Sequence, residues 1–590
     1  MLTPRAKSEN YTGIKFCFNS SLTVFINNDI TKKVYNTLKI FTEPSGISLS
    51  VCHDRSKADI VLCLDTKLAD KTERYTISVC EKGAYIRFAE FLGGRNAAAT
   101  LMQLIRYENG SFCILGAKID DWSDNRMRGV LLDPARRYID ITELKDIMRQ
   151  MALTKMNVAH MHLMDASGYA FESKAYPELN EKYSDENNEH ASYRKFTDKD
   201  FSYYTFEEMR DIIAYGQAIG VDLLPEIELT THGYHMLQKL PFMRCETEHT
   251  APSEWAMCVS NPAFYEVFSK IIEEVASVFP YPVIHVGTDE LNMYDLTERR
   301  TWPTWYDCKH CKKLAAELGI KFSSYEDVAA SQADGTFKDK GIDGTNELFT
   351  YTVHRIHEMV SKAGKRMMMW NDNIDIAKPC DLPKDILIHF WRIAGEWRGP
   401  REGCSMQGFL DAGFEVINSH YPQTYIEEDF YKPEVPVSTW APKVYPPSKD
   451  EHKDQILGGW PSAWGNYHHS VYTLPSLLAL YADRLWDETP GVYEKDFCIS
   501  TTRTLLGIKT PENFNVYDAL GGYVLPKDTS RTHALEDCRK GHVDKVTISA
   551  DEVANTVDTL KNMADDTSME GRLASVYADC AAWVHERMTK

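Results

Sequence analysis

Two adjacent carboxylates at the end of a hydrophobic stretch stand out in this 590-residue sequence. The segment YPVIHVGTDELNMYD, residues 281–295, begins as a buried strand and reaches Asp289 and Glu290 where the apolar run ends. Such a pair can divide acid–base work, because a neighbouring anion disfavours ionisation of a carboxyl group and keeps it available as an acid. The alternative is a strand that simply ends in a solvated loop.

Apolar runs and amphipathic segments alternate from residue 128 onward and would position this pair. The runs predict strands at 129–133, 157–163, 221–227, 283–288, 366–370, 386–391, 414–419 and 459–464. Segments between them, such as TELKDIMRQMALTKM, have the periodicity of helices. Eight βα units favour a (β/α)8 TIM barrel over a doubly wound sheet, which would have fewer strands and usually a Gly-rich phosphate loop that we do not find.

The barrel is flanked by segments with other patterns. Residues 1–122 mix short strand patterns with the helical segment RNAAATLMQLIRY, which predicts a small α/β (α+β) N-terminal domain. Residues 123–490 are the predicted catalytic barrel. Residues 491–590 have mostly helical patterns and are predicted to form a C-terminal helical region packed on the barrel.

Polar and aromatic side chains gather at the predicted strand ends, where barrel enzymes place their chemistry. Any one of them could be an ordinary packing residue, but their shared location favours an active site. In chain order they are Arg128, Asp133, His160, His162, Asp165, Glu226, Glu228, His232, Asp289, Glu290, Trp370, Trp391, Tyr425, Glu427, Trp464 and Asn466.

The composition argues against several classes of partner. The formal net charge of −20 disfavours nucleic acid and anionic membranes, because both require a basic surface. No apolar run is long enough for a membrane span, and the segment MLTPRAKSENYTGIKFCFNS lacks the apolar core of a signal peptide. The compartment is left open, since a processed secreted or periplasmic chain would also lack a signal peptide. The oligomeric state is left open as well.

The 14 cysteines are scattered, and the only closely spaced pair is Cys308 and Cys311 in DCKHCKKL. A structural zinc site needs four ligands, and a single CxxC without a second pair supplies only two. The sequence therefore predicts no metal site and no cofactor, with this pair as ordinary loop or helix cysteines.

The barrel segments resemble those of a known family. RGVLLDPARRYIDITELKDIMRQMALTKMNVAHMHLMDASGYAFESKAYPEL resembles the opening of the catalytic barrel of glycoside hydrolase family 20, the β-N-acetylhexosaminidases. HVGTDE is similar to the family's fourth-strand signature His-x-Gly-Gly-Asp-Glu, and PEIELTTHGY is similar to its third-strand segment Pro-Glu-Ile-Asp-x-Pro-Gly-His. ERYTISVCEKGAYIRF resembles the small α/β domain that precedes the barrel in that family.

The resemblance implies an exo-acting, retaining enzyme that releases terminal N-acetylglucosamine or N-acetylgalactosamine from glycans without a cofactor. Glu290 would protonate the glycosidic oxygen and then activate water. Asp289 would hold the substrate's own acetamido group, whose oxygen closes on C1 as an oxazolinium, the substrate-assisted exception to the two-carboxylate scheme.

The resemblance also implies an aromatic pocket around the acetamido group. Tyr425 would donate a hydrogen bond to the acetamido oxygen. Trp370, Trp391 and Trp464 would surround its methyl group and keep the internal nucleophile dry. Trp440 would stack on the leaving sugar, with packing of a loop as the alternative.

Three further residues receive roles from the same resemblance. Arg128 would bind hydroxyl groups on the far side of the sugar ring. Asp165 and His232 would support Glu290 and orient the substrate.

Four single positions depart from the family pattern, and LTTHGY also lacks the Pro-Gly that precedes the histidine in the family. Thr288 replaces the second glycine of the signature, and Glu228 and Glu427 stand where aspartate is usual. Asn466 stands where the family has a glutamate that binds O4 and O6 of the sugar. Loss of that negative charge suggests an alternative specialisation of the same mechanism, for 6-sulfated N-acetylglucosamine or for a disaccharide unit.

Two other classes of function compete with this interpretation. A catalytically inactive glycan-binding protein could share the fold, although the presence of Asp289, Glu290 and Tyr425 argues against it. A metal-dependent barrel hydrolase could use His160, His162 and Asp165, because residues i and i+2 of a strand point to the same side. In the family both histidines are instead expected to be structural.

Overall fold

The computed structural model describes residues 2–181, 202–291, 294–295, 300–301, 304–336, 342–371, 382–392, 405–426, 440–465, 470–489, 495–520, 538 and 541–590. They form an N-terminal α/β domain, a parallel barrel and a helical C-terminal region. No described helix is long and apolar enough to cross a membrane.

The barrel consists of eight parallel strands, numbered here as barrel strands 1 to 8. They are Met127–Leu132, Val158–His162, Asp222–Glu226, Val283–His285, Arg366–Trp370, Leu387–Phe390, Glu415–Asn418 and Ile456–Gly459. Each pairs with the next in chain order, and strand 8 pairs with strand 1 through Gly458 and Met127, so that the sheet closes. The predicted (β/α)8 barrel is confirmed.

Helices connect the barrel strands on the outside of the barrel. The main ones are Ile141–Leu153, Phe206–Ile219, Pro262–Val278, Thr345–Lys362, Met406–Asp411 and Ser470–Trp486. Capping residues determine where these helices begin and end. In Phe206–Ile219, the Thr205 side chain and Glu208 form a reciprocal capping box, and Gly220 ends the helix at φ +72°.

Two barrel strands depart furthest from their predicted bounds. Strand 4 ends at His285 rather than 288, because Gly287 and Thr288 adopt positive φ angles of 59° and 75° and turn the chain out of the sheet. Strand 8 begins at Ile456 rather than 459, and after Pro461, which has no N–H to donate, a short strand Ser462–Ala463 resumes the pairing with strand 1.

The long loops after strands 3 and 4 contain short elements of their own. Helix Tyr234–Lys239 and the 3₁₀ turn Pro241–Met243 follow strand 3. Helices Lys309–Glu317 and Tyr325–Ala333 follow strand 4, after the short pair Tyr294–Asp295 and Arg300–Thr301. These loops lie at the carboxyl end of the barrel.

The N-terminal domain is one mixed sheet with two helices. Its strands, in spatial order, are Ser8–Phe18, Ser111–Asp121, Tyr75–Cys80, Gly83–Phe88, Ile60–Leu64, Ser21–Phe25 and Ser48–Cys52, and Ile105–Glu108 also pairs with Ser111–Asp121. Helices Asp29–Thr42 and Phe91–Leu104 pack between this sheet and the barrel helices Ile141–Leu153 and Phe206–Ile219. A disulfide between Cys17 and Cys113 joins its first strand to Ser111–Asp121.

The C-terminal region is helical, as predicted. Its described helices are Lys495–Leu506, Val516–Leu520, Ala550–Met563 and Met569–Thr589. Two ion pairs fasten the last helix to the barrel helix Ile141–Leu153, Arg149 to Glu570 at 2.8 Å and Arg572 to Asp146 at 2.6 Å. The domain bounds at 122 and 490 stay predictions.

Candidate active site

A buried carboxylate, Glu226, joins four barrel strands at their carboxyl ends. Its oxygens lie 3.0 Å from His160 Nε2, 2.7 Å from His162 Nδ1 and 2.9 Å from His285 Nδ1, and Trp370 Nε1 donates a hydrogen bond of 2.8 Å. Burial alone would raise the pKa of Glu226, but the neighbouring histidines hold it well below its usual range. The two histidines of strand 2 therefore face one anion, and Glu226 fixes the floor of the site.

His232 lies between three carboxylates above this floor. Its Nδ1 is 2.9 Å from Asp165 Oδ2, and its Nε2 is 3.3 Å from Asp289 Oδ2 and 3.4 Å from Glu290 Oε2. Burial opposes protonation, yet Asp289 and Asp165 raise the pKa of His232 well above its usual value. We therefore describe His232 as an imidazolium that bridges Asp165 to the adjacent acid pair.

The pair itself is accessible while its surroundings are closed. The side chains of Asp289 and Glu290 are 13% and 14% exposed. Burial raises the pKa of Asp289 but His232 outweighs it, so the pKa is lowered and the group is ionised. Within the described residues, Asp289 Oδ1 is buried and has no hydrogen-bond partner. Asp289 therefore has acceptor capacity that the described residues do not use.

The turn that presents the pair is held in an uncommon backbone conformation. Thr288 and Glu290 have positive φ angles of 75° and 54°, which non-glycine residues adopt only when the surroundings enforce them. Gly287 is required, because a Cβ there would lie 1.8 Å from a carboxylate oxygen of Glu228. Glu228 Oε2 accepts the Thr288 N–H at 3.0 Å. Glu228, which is longer by one methylene group than the aspartate usual at this position, thus reaches under the turn.

Four aromatic side chains from different strand ends form one wall of the site. Trp391 stacks on Tyr425 with ring centroids 5.7 Å apart, and Tyr425 meets Trp464 edge-on at 5.6 Å. Trp464 lies 6.2 Å from Trp370, which stacks on His389 at 3.8 Å. The structure therefore brings these four predicted pocket residues together.

The role predicted for Arg128 is wrong. It lies at the amino end of barrel strand 1, on the opposite side of the barrel from the acid pair, and its side chain is 1% exposed. The guanidinium pairs with Glu73 at 2.6 Å and donates to the carbonyls of Asn125 and Lys155. Arg128 fastens the N-terminal domain to the base of the barrel and cannot reach a sugar.

Arg136 occupies the place that sequence reasoning gave to Arg128. It follows the carboxyl end of strand 1, pairs with Asp133 and Asp165 at 2.8 Å each, and lies over the Trp464 ring at 4.8 Å. The signal was present in the sequence. In RGVLLDPARRY this arginine comes after the strand, on the side where barrel sites form.

The role predicted for Trp440 is also wrong. Its side chain is fully buried, its ring packs edge-on against Tyr481 at 5.9 Å, and its carbonyl accepts a hydrogen bond from Arg484. Both partners belong to the helix Ser470–Trp486, so Trp440 is a core residue and has no surface on which a sugar could stack. The predicted site residues Glu427 and Asn466 lie outside the described residues.

The prediction that Cys308 and Cys311 lack partners is wrong. Cys245 and Cys258, from the loop after strand 3, lie beside them, with all four sulfurs within 4.8 Å of one another. The second pair was missed because twelve residues separate its members in the sequence, so that they do not form a CxxC.

Comparison with known proteins connects this geometry to a family. The glycosyl hydrolase family 20 catalytic domain matches residues 126–489. The chain is 27% identical over 468 residues to a β-hexosaminidase of Vibrio furnissii, across 74% of this chain and 69% of the relative. It is 24% identical over 448 residues to the β-hexosaminidase α subunit of Bos taurus, across 74% of this chain and 75% of the relative.

Solved structures have the same fold. An exo β-N-acetylglucosaminidase from Vibrio harveyi in complex with N-acetylglucosamine superposes with a TM-score of 0.69 at 22% identity, covering 86% of this chain and 76% of that one. A chitobiase from Flavobacterium johnsoniae gives a TM-score of 0.64 at 21% identity, covering 95% and 88%. Because the family match extends over more than half of the chain and includes the acid pair, this protein belongs to glycosyl hydrolase family 20 and is a glycoside hydrolase.

Proposed function

We propose that this glycoside hydrolase is an exo-acting, retaining β-N-acetylhexosaminidase that releases terminal N-acetylglucosamine or N-acetylgalactosamine through an oxazolinium intermediate. The observation that carries the proposal is the pairing of an ionised Asp289, whose Oδ1 has no partner in the described chain, with Glu290 at its side. Relatives named β-hexosaminidase and exo β-N-acetylglucosaminidase support it.

In the first step the substrate supplies its own nucleophile. Asp289 accepts the acetamido N–H, and the amide oxygen, which this contact makes more nucleophilic, bonds to C1 as the C1–O bond to the leaving group breaks. Glu290 gives its proton to the departing oxygen. Because the nucleophile is tethered to the sugar, little entropy is lost in the attack.

In the second step water replaces the amide oxygen. Glu290, now a carboxylate, takes a proton from the water as its oxygen bonds to C1, and the C1–O bond to the acetamido oxygen breaks. Each step inverts C1, so the product keeps the β configuration. The imidazolium of His232 offsets the negative charge of Asp289 in both steps, and that of Glu290 once Glu290 has given up its proton.

The aromatic wall supports this assignment. Trp370, Trp391 and Trp464 are nearly fully buried and converge on Tyr425, a phenol that could donate to the acetamido oxygen. Apolar faces suit a methyl group and exclude water that would compete with the internal nucleophile.

The decisive experiment is hydrolysis of a chromogenic nitrophenyl β-N-acetylglucosaminide by the wild type, Asp289→Asn and Asp211→Asn. Asp289→Asn should lose about 100- to 1,000-fold in kcat, because one group that stabilises the transition state is removed. Asp211 lies on the exposed side of the helix Phe206–Ile219 and is the matched control. A thiazoline mimic of the oxazoline should inhibit the wild type.

Inactivity of the wild type on plain and 6-sulfated N-acetylglucosaminides alike would overturn the proposal in favour of a glycan-binding role. A strong preference for the 6-sulfated sugar would keep the mechanism and establish the specialised variant suggested by Asn466. Equal activity of Asp289→Asn and Asp211→Asn would contradict the role of Asp289.

A further inference from the structure

Four buried cysteines lie at the carboxyl side of the barrel, outside the acid pair and its aromatic wall. Cys245 and Cys258 belong to the loop after strand 3, and Cys308 and Cys311 to the loop after strand 4. Each is at most 2% exposed, and each is a free thiol rather than half of a disulfide. We propose that these four residues bind one structural zinc ion that clamps the two loops carrying His232 and the acid pair.

The arrangement of the sulfurs fits a tetrahedral ion. Cys258 Sγ lies 3.9 Å from Cys308 Sγ and 3.9 Å from Cys311 Sγ, and no pair among the four is farther apart than 4.8 Å. Zn–S bonds of about 2.3 Å in a tetrahedron place the sulfurs about 3.8 Å apart. Four mutually adjacent sulfurs are what one central ion requires, whereas two disulfides would bring them together in two bonded pairs.

The ligand set selects the metal. Four thiolates in a closed buried site are the ligands of structural zinc, while hard cations such as Mg²⁺ and Ca²⁺ take oxygen ligands. Cys308 is the N-cap of the helix Lys309–Glu317 and Cys311 lies in its first turn. The positive end of the helix dipole favours thiolates at this position.

The backbone around the cysteines is already paired between the two loops. Lys309 N donates to Glu246 O at 3.0 Å, and Trp305 Nε1 donates to Met257 O at 2.8 Å. Thr247 and Cys308 also form an antiparallel bridge. The site therefore has a rigid frame contributed by both loops.

The same frame leads to the active site. Next to Cys258, Met257 N donates to Thr230 O at 2.9 Å, and Gly233 N donates to Trp255 O at 2.8 Å. The Trp255 ring lies 4.1 Å from the ring of His232. A zinc ion would thus act as a positioning element for His232, without contact with the substrate.

The test is metal analysis of the full-length protein, purified in reductant without chelator from cells supplied with zinc. We expect about one zinc per chain. The native mass should exceed the denatured mass by one zinc ion, and X-ray absorption should show four sulfurs at about 2.3 Å. These wild-type measurements do not depend on the folding of any variant.

Variants provide the second arm. Cys258→Ser and Cys311→Ser should each lower the zinc content at least tenfold and lower the melting temperature. Cys498→Ser, which changes a buried thiol in the helix Lys495–Leu506, should keep its zinc. Zinc-free wild type with these cysteines in disulfides, iron in place of zinc, or unchanged zinc in both variants would each overturn the proposal. Hydrolytic activity enters none of these outcomes, so they stand apart from the proposed function.

Discussion

His232 Nε2 lies 3.3 Å from Asp289 Oδ2, while the other ring nitrogen of His232 lies 2.9 Å from Asp165 Oδ2. The imidazolium is therefore shared between Asp165 and Asp289, the carboxylate that would bind the acetamido group under the proposed function. Its charge is the main cause that lowers the pKa of Asp289 against the effect of burial. Asp289 can then remain an acceptor for the acetamido N–H at moderately acidic pH.

The first prediction concerns this charge. His232→Gln removes the cation, so the pKa of Asp289 should rise. Since Asp289 must be ionised to accept the acetamido N–H, the acidic limb of the kcat/KM profile should move to higher pH. The measurement is the pH dependence of kcat/KM for the wild type and the variant.

His235→Gln is the matched control for this experiment. His235 is buried three residues away, and its Nε2 contacts the carbonyl of Leu179. The acidic limb of the kcat/KM profile of His235→Gln should stay at the pH of the wild type. An unchanged acidic limb in His232→Gln would contradict the electrostatic role of His232.

The second prediction separates Glu290 from Asp289 by the leaving group. In Glu290→Gln, kcat/KM for a methylumbelliferyl glycoside should fall about 100- to 10,000-fold, because that oxygen needs a general acid. For a dinitrophenyl glycoside, whose leaving group departs as an anion without a proton, kcat/KM of Glu290→Gln should fall much less. Asp289→Asn impairs the internal nucleophile and should therefore lower kcat/KM for both substrates alike. Equal losses for both substrates in Glu290→Gln would rule out its role as general acid.

The topology explains which site residues could be predicted from the sequence. Carboxyl ends of parallel strands meet at one edge, so Asp289, Glu290 and Trp370 could be placed together once the strands were recognised. The same logic, applied to position within the strand, excludes Arg128, which lies at the start of strand 1. Arg136 follows that strand and could have been chosen on this ground.

Contacts between long loops could not be predicted in this way. Cys245 and Cys258 approach Cys308 only because the loops after strands 3 and 4 fold against each other, and no periodicity reports such a contact. The burial of Trp440 likewise depends on its packing against the helix Ser470–Trp486, which follows it in the chain. Sequence spacing identifies side chains that lie together on one helix or strand. The cysteine cluster and the packing of Trp440 instead form between segments that are distant in the sequence.

The third prediction contrasts the two arginines. Arg136→Gln removes a guanidinium from the site and should lower kcat/KM about 10- to 100-fold, the loss expected for one charged hydrogen bond. Arg128→Gln should leave kcat/KM of the folded protein within about twofold. It should lower the free energy of unfolding by about 3 kcal/mol, because the buried Glu73 loses its ion-pair partner and keeps hydrogen bonds from Asn96 and Asn157.

Activity assays and urea unfolding on the same preparations test this contrast. A large loss of kcat/KM in Arg128→Gln, with a normal unfolding free energy, would restore the role first predicted for Arg128.

The fourth prediction concerns the buried carboxylate below the site. Glu226→Gln leaves Asp165 as the remaining carboxylate partner of His162 and replaces the acceptor of the Trp370 N–H. The free energy of unfolding should fall by about 3–5 kcal/mol at neutral pH, as for other broken buried pairs. Glu207→Gln, on an exposed position of the helix Phe206–Ile219, should change it by less than about 0.5 kcal/mol.

The pH dependence of that difference has a definite sign. The pKa of Glu226 is depressed in the folded protein, so its contribution is present above the unfolded value of 4.5 and is lost as the pH falls toward the folded pKa. The gap in unfolding free energy between the wild type and Glu226→Gln should therefore be full at neutral pH and shrink below pH 4.5. Urea unfolding of both proteins across this range measures it. A gap that widens on acidification would mean that Glu226 is protonated in the native state, and the histidines around it would then need another counter-charge.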